Sequence, residues 1–97
     1  MEKTGIRSQV LQEIEDLAKK YRIQRVILFG SRARGDYHRV SDIDLAVTGG
    51  DIAGFELAVD EETSTLLEYD VVNLDGVVQE DLRKSILEEG KLLYEKI

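Results

Sequence analysis

The chain has 97 residues, a formal charge of −7, no cysteine and one histidine. That length builds one domain, 1–97, with a modest core; the missing cysteines exclude disulfides and thiolate metal sites, and a lone His38 argues against a histidine-based zinc centre. The net charge argues against general nucleic-acid binding, which depends on Lys and Arg neutralising phosphates. No stretch has the apolar length of a membrane span or a signal peptide, so a cytoplasmic protein is expected.

From Ser8 to Tyr21, the apolar residues Val10, Leu11, Ile14, Leu17, Ala18 and Tyr21 recur at steps of one, three and four, which predicts an amphipathic helix packed on a sheet. Arg25 to Phe29 follows as a nearly all-apolar strand, expected to be central with both faces covered. It stops at Gly30-Ser31, a tight-turn signal, and Ser31 to Arg34 fits one helical turn closed by Gly35. If Ser31 opens that turn, the first free amides and the positive end of the helix dipole face the space beyond the strand, where an anion is favoured. Ser31 can also be read as a simple N-cap, and the two roles are compatible.

Asp36 to Val40 is polar and irregular, and Asp42 to Thr48 reads as a second strand ended by Gly49-Gly50. Because strand side chains alternate, Asp42 and Asp44 leave the same face while Ile43 points the other way. Two such carboxylates, with Cα atoms about 6.5 to 7 Å apart, repel by roughly 2 to 3 kcal/mol at an effective dielectric of about 20 before screening. A divalent cation would convert that cost into a binding site. Between Arg22 and Arg39 five arginines face a single acid, whereas 40–97 holds four basic residues against fifteen acids. A cationic island therefore abuts the paired aspartates, which suits a small polyphosphate with its metal.

Ile52, Phe55, Val59 and Leu66 lie at helical intervals, predicting one helix over 51–67 or a helix broken near Asp60-Glu61-Glu62. Glu68 to Leu74 is a third strand with Asp70, Val72 and Leu74 on one face. An acid among apolar neighbours is the kind of local inconsistency found at functional sites, although Asp70 also reads as a strand-start residue. Asp75-Gly76 signals a turn, Gln79 to Glu89 a helix with Leu82, Ile86 and Leu87 inward, and Lys91 to Glu95 a short strand or extended segment. The expected class is α/β (α+β), with a small mixed sheet and helices packed on it.

A Gly-Ser pair alone is turn chemistry and Asp-x-Asp alone is common. Joined as Gly30-Ser31-Arg32-Ala33-Arg34-Gly35 … Ser41-Asp42-Ile43-Asp44-Leu45, they resemble the signature of the polymerase-beta-like nucleotidyltransferase superfamily, and most of all its minimal nucleotidyltransferases, paired with HEPN-domain proteins. The resemblance implies a two-layer fold, ATP held at Gly30 and Ser31 with Arg32 and Arg34 as further candidates, and two Mg²⁺ ions bound by Asp42, Asp44 and Asp70, which would be the catalytic residues. It further implies AMP transfer to a hydroxyl, a tyrosine, of a HEPN ribonuclease toxin, with this chain as the antitoxin in a hetero-oligomer. Two other functions fit the sequence: an acidic antitoxin that only masks its partner, and the catalytic subunit of a small-molecule nucleotidyltransferase.

Overall fold

The structure, a computed structural model, describes residues 4–97. Its elements run α1 (Ser8–Lys20), β1 (Arg25–Phe29), α2 (Ser31–Arg34), β2 (Ile43–Thr48), α3 (Ile52–Glu62), β3 (Tyr69–Asn73), α4 (Glu80–Glu89) and β4 (Lys91–Glu95). The strands form one mixed sheet ordered β3-β2-β1-β4. The two pairings of β1 are antiparallel, while β2 and β3 run parallel. The apolar run of β1 thus lies inside the sheet, and its three middle residues are buried.

Strand alternation divides the core in two. Val26 and Leu28 of β1 and Ile43, Leu45 and Val47 of β2 face one side, where Val10, Ile14 and Leu17 of α1 and Ile52, Phe55 and Val59 of α3 close over them. On the other side Ile27 and Ala46 meet Ile86 of α4, with Phe29, Val72 and Leu74 partly covered around them. Of the three α4 residues expected inward, only Ile86 is buried, whereas Leu82 is 37% and Leu87 66% exposed. Ile86 alone among them packs on the strands, against Ile27 and Ala46.

α3 stops at Glu62, within the acidic stretch named as one place for a break, and residues 63–67 are not helical. The capture of Ser64 explains this. Its amide and hydroxyl both donate to Glu13 of α1, at 2.7 and 2.6 Å, and the Thr63 hydroxyl donates back to the Val59 carbonyl. Leu66, which helical spacing placed inward, is fully exposed. At the sheet end near the β2–α3 turn, Asp75 accepts from the Thr48 hydroxyl and the Gly49 amide, and these bonds hold its carboxyl below the usual range. Among the described residues no helix is long and apolar enough to cross a membrane.

Candidate active site

The candidate site lies on the α4 side of the sheet, beside α4, at the end where β1 gives way to α2. Asp44 of β2 is the register partner of Phe29 on β1 and of Asp70 on β3. Partners on parallel strands share a face, so the Asp44 and Asp70 carboxylates leave the sheet on the same side from Cα atoms about 4.8 Å apart. Asp42 stands just before β2 and is exposed, as is Asp70, while Asp44 is half-buried between them. Burial pushes the Asp44 carboxyl up to about 6, helped by the negative charges of Asp70 and Asp42 and opposed by the positive charges of Arg34 and Arg32. The three acids therefore form one electrostatic unit.

Gly30 connects the first half of the motif to the second. Its φ of 77° is one that side chains avoid, and a Cβ built on it would overlap Oδ2 of Asp44. Only a residue without a side chain lets the turn close against that carboxylate. Gly30 is also the N-cap of α2, its carbonyl accepting from the amides of Ala33 and Arg34 at 3.1 Å. Ser31 is therefore the first helical residue rather than the cap. Gly35, at φ 96°, ends the turn in the left-handed region.

The two candidate arginines part company. Arg34 is exposed and pairs with Asp36 at 3.3 Å and with Glu89 at the end of α4 at 3.4 Å; it stands close enough to lower the Asp44 carboxyl. Arg32 is 2% exposed. Its guanidinium donates to the carbonyls of Thr4 (2.9 Å), Ser41 (3.0 Å), Arg39 (3.3 Å) and His38 (3.5 Å) and stacks on Tyr37. The expectation that Arg32 holds phosphate is corrected by this geometry, because its donors already face backbone oxygens inside the fold. Nothing in the local sequence could show that, since the carbonyls come from a loop up to nine residues away and from the segment before α1.

Hard oxygen donors of this kind fit Mg²⁺, which binds through one or two carboxylates together with substrate phosphates. As placed, among the described residues, no three acidic, histidine or cysteine side chains are gathered closely enough to hold an ion by themselves. The close pair is Asp44 with Asp70, and Asp42 flanks it.

A strand, a glycine-serine turn, a short helix and a second strand bring an acid opposite another on the neighbouring strand, the order of parts expected of a nucleotidyltransferase. The chain belongs to the family described as polymerase beta nucleotidyltransferase, whose pattern matches residues 12–97, and it is a transferase of the nucleotidyl class. It is 40% identical over 92 residues to a protein of Methanocaldococcus jannaschii provisionally named a protein adenylyltransferase, covering 84% of this chain and 90% of that one. It is 35% identical over 77 residues to the protein adenylyltransferase MntA of Shewanella oneidensis, covering 75% of this chain but only 55% of the relative. In three dimensions it resembles a chain of a crystal structure described as a toxin–antitoxin with AMP-PNP, with a TM-score of 0.70 at 26% identity over 89% of this chain and 73% of that one.

Proposed function

We propose that the chain transfers AMP from ATP, with two Mg²⁺ ions, to a tyrosine hydroxyl of a partner HEPN ribonuclease toxin, and so acts as a cytoplasmic antitoxin. One observation carries this reading: Asp44 faces Asp70 across two parallel strands with Gly30 closed against its carboxylate. Acids are thereby brought to the end of a turn whose free amides suit a polyphosphate. The names of the M. jannaschii and S. oneidensis relatives favour a protein as acceptor, and the toxin–antitoxin neighbour favours a toxin. HEPN as its class rests on the motif resemblance.

In this reading the Gly30 amide and Ser31 hold the terminal phosphates, and Arg34 at the rim adds a positive charge. The acceptor oxygen bonds to the α-phosphorus, the bond from that phosphorus to the β-phosphate oxygen breaks, and pyrophosphate leaves. Asp42, Asp44 and Asp70 would hold the cations, which supply charge neutralisation at the attacking and leaving oxygens. Asp70, exposed on the edge strand β3, would hold the cation beside the attacking hydroxyl and is the carboxylate this reading offers as acceptor of its proton.

The test is transfer of label from α-labelled ATP to the co-expressed partner. Asp42→Asn and Asp44→Asn should abolish it, and full labelling by either variant would remove the assignment. Neutralisation of the toxin by Asp42→Asn as effective as wild type without ATP would favour masking instead.

A further inference from the structure

Asp42 lies one residue outside the β2 ladder, whose first register pair is Ile43 with Tyr69. Strand pairing holds only the peptide that follows it, whose Ile43 amide donates to the Glu68 carbonyl at 2.9 Å. The peptide that precedes it, from Ser41, is held by Arg32, whose Nε donates to its carbonyl at 3.0 Å. Holding the oxygen restrains the peptide plane, and planarity passes that restraint to the following Cα.

The same guanidinium gathers the carbonyls of His38 and Arg39, so one side chain braces the irregular segment that leads into the acid. The segment is braced again from within, where the His38 amide donates to the Ser41 hydroxyl at 2.7 Å. Thr4, 3% exposed, supplies the carbonyl on the far side, and a Cβ on Gly5 would overlap both the Tyr37 ring and the Arg32 guanidinium. Among the described residues Arg32 has no carboxylate partner within ion-pair distance. A buried cation satisfied wholly by main-chain oxygens is a demanding arrangement, and a packing role alone would be met by an apolar side chain of similar volume.

We propose that Arg32 is a positioning residue: by holding the Ser41–Asp42 peptide inside a cage of carbonyls closed by Tyr37, it sets Asp42 relative to Asp44 and so prepares the acidic site for a divalent cation. The inference rests on the nucleotidyl-transfer reading of the site. Lysine cannot replace it, since one ammonium centre does not span carbonyls that a planar fork reaches together.

The test compares Arg32→Lys, Tyr37→Leu and Arg34→Ala with the wild type. Mn²⁺ binding is followed by electron paramagnetic resonance in the presence of a saturating non-hydrolysable ATP analogue, and the half-saturating Mg²⁺ and the ATP KM at saturating Mg²⁺ are measured in the transfer assay. In Arg32→Lys, Mn²⁺ binding should weaken and half-saturating Mg²⁺ should rise about 10-fold or more, the scale seen when a partner orienting a metal ligand is lost. The ATP KM should stay within about twofold, because binding of the nucleotide itself is untouched. Amide exchange at Ile43 should quicken while α1 and α3 keep their protection. Tyr37→Leu should shift the same readouts in the same direction by less, which keeps the claim testable where Arg32→Lys does not fold. Arg34→Ala should do the converse, raising ATP KM without raising half-saturating Mg²⁺.

A raised ATP KM with unchanged metal binding in Arg32→Lys would make Arg32 a phosphate ligand and overturn the inference. Unchanged metal binding in both Arg32→Lys and Tyr37→Leu would reduce the cage to packing and overturn it too. A wild type that binds Mn²⁺ yet transfers no label refutes the transfer reading alone, and weakened Mn²⁺ binding in Arg32→Lys then still supports the positioning role. A wild type that binds no Mn²⁺ defeats both.

Discussion

Replacing Asp44 with Asn should make the protein more stable at neutral pH while removing its activity. In the native state the Asp44 carboxyl is pushed from an ordinary 3.8 to about 6, first by burial and then by the charges of Asp70 and Asp42. A native acid with a raised value destabilises the fold whenever it is ionised. The penalty is complete above pH 6, shrinks as the native carboxyl takes up its proton between pH 6 and 3.8, and is absent below. A shift of about two units corresponds to at most roughly 3 kcal/mol. Asp44 is only half-buried, so water and salt screen the charge and the usable figure is about 1 kcal/mol. With a urea slope of about 1 kcal/mol per molar for a domain of this size, the midpoint of Asp44→Asn should rise by about 1 M at pH 7.5. At pH 4 it should match the wild type. Magnesium should work in the opposite sense, stabilising the wild type by about 1.4 kcal/mol at tenfold excess over its Kd and the variant by less. An Asn variant no more stable than wild type at pH 7.5 in chelator, or equally stabilised at pH 4, would refute the claim that Asp44 is held at an electrostatic cost.

Gly30→Ala combines an unfavourable φ with overlap on Asp44 Oδ2, so it should lose about 1 to 2 kcal/mol by urea titration and most of its transfer activity. Ile86→Ala removes the one buried side chain of α4; a loss of about 2 to 5 kcal/mol is expected, with amide exchange rising in α4 before it rises in α1. Asp75→Ala abolishes two bonds at the β2 end. Because those bonds lower the carboxyl, their stabilisation is present above the ordinary aspartate range and is lost as pH falls through the native value, so the variant should differ from wild type at pH 7 and converge with it in acid.

Local pattern reached far in this chain, and failed for identifiable reasons. β1 and α2 have the bounds their residues announce, since an apolar run, Gly30 and Gly35 are all local signals. The class of fold was equally legible, from the order of periodic segments. The end of α3 was not, because what draws the chain away after Glu62 is a pair of hydrogen bonds from Ser64 to a residue 51 positions earlier. Leu82 and Leu87 have the spacing of a buried stripe, but spacing cannot say how wide a surface awaits the helix, and here it admits Ile86. At the site, the acids and the glycine are visible as a motif, whereas the work of Arg32 depends on carbonyls that any residue type would supply. A buried arginine among four arginines nearby has no distinguishing mark in sequence.

The contact of Gly30 with Asp44 also limits how such a chain can change over time. A methyl group at position 30 is admissible only once the acid opposite has shrunk or gone, so the two positions must drift as a pair although they lie fourteen positions apart. Descendants that abandon catalysis and keep the fold should show it there, with a side chain filling the glycine position and a small neutral residue in place of the aspartate.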